Sequence, residues 1–201
     1  EKGAGWAATK ALMWAIEKQL EPGPGLYHWA QDDIGDDRAP VADEDFQGWH
    51  PDKPILVFIH GTASSTRGSF GDLRQSSAAR EWDRLAEKFG RHIYAFEHRT
   101  FSESPIENAL ALARALPEGA RLNVVTHSRG GLVGDLLCMG AMRDGAVERF
   151  RREDEQLAAA DEEDRRNLLA LDAELARKRF TIERYARVAS PSQGTLLASC
   201  H

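Results

Sequence analysis

The order of apolar and polar positions along this chain switches repeatedly between helical and strand periodicity. From Gly5 to Leu20, the residues Trp6, Met13, Ile16 and Leu20, with Leu12 beside them, recur at helical spacing around Lys10, Glu17 and Lys18. That pattern predicts an amphipathic helix, packed on its own domain or docked on a membrane surface or partner. Pro22-Gly23-Pro24-Gly25 ends it. The stretch to Asp52 is rich in Asp and Glu, with isolated aromatics at Tyr27, Trp29, Phe46 and Trp49, and reads as a solvated acidic loop. Asp32, Asp33, Asp36 and Asp37 lack the alternate-position ligands and distal Glu of an EF-hand loop, which argues against calcium. After Pro54 the run Ile55-Leu56-Val57-Phe58-Ile59 is apolar on both faces, as a strand buried in a parallel sheet must be.

That strand ends in His60-Gly61-Thr62, followed by a small, hydroxylated loop from Ala63 to Ser77. Trp82, Leu85, Ala86 and Phe89 make one helical face closed by Gly90, and Ile93 to Phe96 makes the next strand. Ser104-Pro105-Ile106-Glu107 is a capping box with proline at the first helical position, so a helix runs from there to Leu116. Leu122 to Thr126 is another buried strand, and the helix after it carries Leu132, Val133, Leu136, Leu137 and Met139 to about Asp144. From Glu148 to Arg179 charged residues exceed half, among alanines and Leu157, Leu168, Leu169, Leu171 and Leu175. This predicts two exposed helices, a lid over a site or a solvated hairpin or oligomer contact. Tyr185 to Ala189 returns to strand. Alternation of strands and helices predicts an α/β domain of three layers with a mostly parallel sheet.

At 201 residues the chain suits one domain, read here as an N-terminal helix and acidic loop over 1–52 and a core over 53–201 that contains the helical insert 148–179. Hydrophobic residues at 42% and charged ones at 29% are those of a globular protein, and no apolar run approaches the ~20 residues of a transmembrane helix. A formal charge of −6, without a basic stripe, argues against nucleic acid as a partner. The two cysteines, Cys138 and Cys200, form neither a disulfide framework nor a zinc spacing, and Cys138 reads as a buried free thiol. Neither compartment nor targeting follows from these features.

The candidate chemistry lies in Thr126-His127-Ser128-Arg129-Gly130-Gly131, where a strand runs through a serine directly into a helix. A serine on such a turn stands clear of the backbone, and Gly130 lets the helix start pass close to the strand. Thr126 stands where the G-x-S-x-G pattern has its first glycine. The plain alternative is a strand-to-helix turn with a solvent-facing serine.

Together with His60-Gly61-Thr62 and with Ser190-Pro191 and Gly194-Thr195, this motif resembles the α/β-hydrolase superfamily, and within it the bacterial lipase-like serine esterases, from about Lys53 to Thr195. The resemblance implies Ser128 as nucleophile, with the backbone N–H groups of Thr62 and Arg129 holding the oxyanion. It implies a serine esterase acting on small-molecule or lipid esters, without metal or organic cofactor. It treats His60 as loop-shaping and His127 as packing. In the hydrolase order an acid and a histidine follow the serine, and no residue after Thr195 matches them. The expectation is therefore a sheet incomplete at the C-terminus, with the remaining chain beyond His201. A hydrolase-like module that binds a protein partner through the insert is the rival, and acyl transfer to an alcohol would use the same nucleophile.

Overall fold

The computed structural model of the chain describes residues 12–15, 17, 22–30, 39–75, 77–141 and 162–190. Five strands form one mixed, mostly parallel sheet: β1 (Gly25–His28), β2 (Ile55–Ile59), β3 (Ile93–Glu97), β4 (Arg121–His127) and β5 (Thr181–Val188), in the spatial order β1-β3-β2-β4-β5. Only β1 runs antiparallel, pairing Leu26 with Phe96 and Tyr27 with Ala95. β2 is central, paired with β3 on one side and β4 on the other, and all five of its residues are buried.

Successive side chains of a strand leave opposite faces of the sheet, so β2 serves two cores at once. Leu56 and Phe58 join Tyr27, Trp29, Ile93 and Ala95 under Phe70 of α1 (Thr66–Phe70) and Phe89 of α2 (Ala79–Phe89). Ile55, Val57 and Ile59 join Tyr94, Phe96, Leu122 and Val124 on the other face. That face is covered by α3 (Pro105–Ala115), α4 (Gly130–Ala141) and α5 (Glu162–Lys178). α3 begins as expected: the Ser104 hydroxyl accepts from the Glu107 N–H and the Glu107 carboxylate accepts from the Ser104 N–H.

Three expectations need correction. The stretch after Gly25 is not simply an acidic loop, because Gly25–His28 adds an edge strand and Trp29 is fully buried, its ring edge-on to Phe58 at 4.9 Å and to Trp82 at 5.2 Å. Among the described helical residues near the N-terminus, Met13 is half-buried and Leu12 exposed, while Glu17, expected on the polar side, is buried. The described part of the charged stretch 148–179 is one helix, α5, which buries Leu171 and Leu175 in the main core and so is not wholly exposed. Lys178 at its end donates to the carbonyls of Arg114 and Leu116, tying it to α3.

Residues 148–161, the acidic cluster Asp32 to Asp37, and Pro191, Gly194, Thr195, Cys200 and His201 lie outside the described residues, as do Trp6, Ile16 and Leu20 of the N-terminal helix. Among the described residues no helix is long and apolar enough to cross a membrane, and no group of His, Cys, Asp and Glu is arranged to hold a metal.

Candidate active site

The topology itself marks one place for chemistry. From β2 the chain crosses to β3 through α1 and α2 on one face, whereas from β4 it continues to β5 through α4 and α5 on the other face and in the opposite direction. Loops leaving two adjacent strands in opposite directions open a crevice at their carboxyl ends, the usual ligand position in an open α/β sheet. Those strands are β2 and β4. The first is followed by Gly61-Thr62 and the second by Ser128-Arg129.

Ser128 is the first of the two residues, Ser128 and Arg129, that join β4 to α4, and its φ is +50°. A side chain in that left-handed region costs roughly 1–2 kcal/mol, so the fold must hold it there. It does so from both sides. The Ser128 N–H donates to the Val188 carbonyl at 2.9 Å, and the Ser128 carbonyl accepts from the Gly131 N–H at 3.0 Å. Thr126, at the departed glycine position, is fully buried in the β4–β5 ladder beside Arg187, where its β-branched side chain suits the strand.

The glycines show how tightly the crevice is built. A methyl group on Gly130 would lie 2.4 Å from the Ile59 carbonyl oxygen and 2.6 Å from that of His60, so only glycine lets α4 start against β2. A methyl on Gly61 would lie 2.8 Å from the Ser128 Cβ. The turn after β2 therefore sits directly against the serine, with Thr62 exposed at its tip and Ala63 again left-handed at φ +53°. Ser128, Thr62 and Arg129 thus share one sheet edge. Ser190, the described member of the third motif, is there too, since a methyl on Gly131 would meet its Cβ at 2.5 Å.

Three histidines lie near this edge. His60 is buried, its Nε2 accepts from the His98 N–H at 3.2 Å, and its Nδ1 lies 2.9 Å from the Gly61 carbonyl oxygen. We assign the proton to Nδ1 on that pattern. Burial pushes its pKa down, against the opposing pull of Glu97, whose Oε2 lies 3.4 Å from Nε2; the ring is held neutral although that distance would suit an ion pair. His98 stacks on His60 at 4.1 Å between ring centres, and burial holds it well below the ordinary histidine value. His127 lies with Nδ1 3.4 Å from the Ser69 hydroxyl and its ring edge-on to Phe70. Among the described residues none hydrogen-bonds the Ser128 hydroxyl. His60 thus binds the loop after β2, while His127 Nδ1 and the Ser128 Cβ both lie against Gly61, where an added methyl would meet them at 3.1 and 2.8 Å.

Sequence reasoning missed the polar scaffold behind the crevice. The Arg129 guanidinium donates to Asn108 Oδ1 at 2.9 Å and to the Glu103 carbonyl at 2.5 Å. Burial lowers its pKa, while Glu17, Glu103 and Glu107 support its charge. Glu103 in turn accepts from the Asn108 amide at 2.7 Å and from Arg99 at 3.2 Å. The residue after the serine is thereby fastened to the loop that follows β3. Glu17 is the other omission; read with Lys10 and Lys18 as part of a polar helical face, it carried no signal of its burial in this scaffold.

A family model described as Domain of unknown function (DUF7379) matches residues 24–153. Neither a curated protein nor a solved structure matches the chain.

Proposed function

We propose that this chain, which belongs to the DUF7379 family, is a serine hydrolase of the α/β-hydrolase type that cleaves carboxylic esters through an acyl-enzyme on Ser128. The observation that carries the reading is a serine, not a glycine, held at φ +50° on a strand-to-helix joint at the crevice between β2 and β4. The Ser128 Oγ attacks the ester carbonyl and its proton passes to a general base. The oxyanion that forms is held by the N–H groups of Thr62 and Arg129, whose chain segments meet at that edge. Collapse breaks the carbon–oxygen bond to the leaving alcohol, which takes up the proton. Water then attacks the acyl-enzyme by the same steps in reverse. An alcohol in place of water would give acyl transfer. The reaction needs no metal and no organic cofactor. The substrate class is a small-molecule or lipid ester. No described histidine hydrogen-bonds the Ser128 hydroxyl, and both ring nitrogens of His60 are committed to other partners.

That commitment also favours a second reading, a hydrolase-like module that binds a partner without catalysis. A fluorophosphonate probe separates the two, because it labels a serine only where a base activates it. The expected result is a label mapped to Ser128 and lost in Ser128→Ala, with turnover of short p-nitrophenyl esters lost in parallel. A folded protein that carries no label on Ser128 would replace the hydrolase with the binding module.

A further inference from the structure

The loop after β3 presents three consecutive N–H groups to one point. Those of Thr100 and Phe101 donate to one carboxylate oxygen of Glu17 at 2.6 and 2.8 Å, and that of Ser102 donates to the other at 2.9 Å. The Ser102 hydroxyl adds a fourth bond at 2.5 Å. Successive N–H groups converging in this way make a concave anion site, and here both carboxylate oxygens are doubly bonded within it. Glu17 is 5% exposed and Ser102 4%. The donors come from residues 83 to 85 positions away in the chain, so this is a tertiary docking and not a local cap.

We propose that Thr100–Ser102 form a carboxylate-binding site, filled in cis by Glu17, and that filling it positions Arg129 beside the nucleophile. The second half rests on the hydrolase reading above; the first does not. An empty site would leave three N–H groups buried without an acceptor, and the loop would move to solvate them. Glu103 directly follows Ser102, and its carbonyl and carboxylate hold the Arg129 and Asn108 side chains respectively. Loosening the loop therefore loosens the peptide that follows Ser128. Burial alone would raise the Glu17 pKa, but the Ser102 hydroxyl and the N–H groups of Phe101, Ser102 and Thr100 outweigh it and hold the carboxyl ionised.

The test uses the full chain and two variants, with sodium acetate as the probe. Glu17→Ala empties the site, so acetate at tens of millimolar should raise its melting temperature by several degrees more than it raises that of the wild type or of Glu17→Gln, in which the site stays filled. Sodium chloride at equal ionic strength controls for salt. Where Glu17→Ala does not fold, Glu17→Gln decides: its amide must turn an N–H toward one pair of donors, so the Thr100–Ser102 amides should exchange at least ~10-fold faster than in the wild type, a charged hydrogen bond being worth about 1.5–3 kcal/mol. Equal acetate responses in a folded Glu17→Ala, or wild-type exchange in Glu17→Gln, would overturn the site. If Ser128 labels in the wild type, acetate should also restore the labelling rate of Glu17→Ala. Restored stability without restored labelling would remove the positioning role and leave the site, while absence of labelling in the wild type would refute the hydrolase reading alone.

Discussion

Gly130→Ala puts the crevice to a quantitative test that does not depend on knowing a substrate. The added methyl would stand 2.4 Å from the Ile59 carbonyl oxygen and 2.6 Å from that of His60, where real contacts do not fall below 3.0 Å. Both obstacles are backbone in or next to the central strand, so no side-chain rotation relieves them. The start of α4 or the end of β2 has to retreat by about 0.6 Å or more. Overpacking of this kind costs ~1–3 kcal/mol, and the better helix propensity of alanine returns less than ~1 kcal/mol of that at a helix end. The net expectation is a loss of about 1–2 kcal/mol, read from urea unfolding followed by tryptophan fluorescence. Gly71→Ala is the control: its methyl would meet only Arg67 Cγ at 3.6 Å, at a right-handed φ of −56°. It should be neutral or stabilising by up to ~1 kcal/mol. Because the retreat separates the two turns that flank Ser128, probe labelling should also slow by up to ~10²-fold, the usual cost of a displacement near 1 Å. Equal stability of the two alanine variants would refute the close approach of α4 to β2.

The core and its titrating groups supply further outcomes. Leu171→Ala removes a fully buried side chain of α5 from the main core and should cost about 2–5 kcal/mol in urea unfolding; a cost below ~1 kcal/mol would return α5 to the solvent-facing role expected from its charge. Burial pushes the Cys138 thiol up to about 11, so site-resolved alkylation at pH 8 should find it at least ~10²-fold slower than free cysteine, since the thiolate is the reactive form. His60 and His98 titrate below their ordinary value, faced by one another, by Glu97 and Glu17, and by Arg129. The unfolded chain therefore binds more protons than the folded one as pH falls through ~6.5, and stability is full above that value and declines below it. His98→Phe should flatten this decline in a series of urea melts from pH 7.5 to 5, and an unchanged slope would contradict the burial.

Much of the fold was legible because periodicity and chain punctuation agree. Ile55–Ile59 is apolar on both faces and proves to be the strand with a core on each side. Ser104 and Glu107 form the capping box their spacing announces. Gly130 is where a close approach was expected, with two carbonyl oxygens in the way of any side chain. What escaped was decided by tertiary contact. β1 is four residues long between Pro-Gly punctuation and a polar stretch, and it becomes a strand only because β3 offers a free edge. α5 looked exposed because charges dominate its length, although two leucines four apart, Leu171 and Leu175, suffice to seat it. Glu17 was assigned to a polar helical face, and no local pattern could announce that its acceptors match three N–H groups over eighty residues away.

The remaining question at the crevice is why position 128 carries a side chain at all. If the turn only joined β4 to α4, glycine would adopt φ +50° without strain, and serine would be the costlier choice by roughly 1–2 kcal/mol. The same edge holds two more left-handed residues, Ala63 after β2 and Ala189 after β5, so three of the four described non-glycine residues of this kind gather where the strands end. Strain concentrated in this way persists only where surrounding contacts overdetermine the backbone, as Val188, Gly131 and Gly61 do for Ser128. Replacing Ser128 by glycine should release that strain, less the ~0.5–1 kcal/mol that extra freedom of the unfolded chain takes back. Ser128→Gly should then be as stable as the wild type or more so by up to ~1 kcal/mol, while Ser128→Ala, which keeps a Cβ, shows no such gain. Both should lose probe labelling. A serine retained against a stabilising alternative is what a nucleophile predicts and a plain turn does not. Destabilisation of Ser128→Gly by more than ~1 kcal/mol would mean that the hydroxyl or Cβ supports the fold, and the strain argument for the nucleophile would fail.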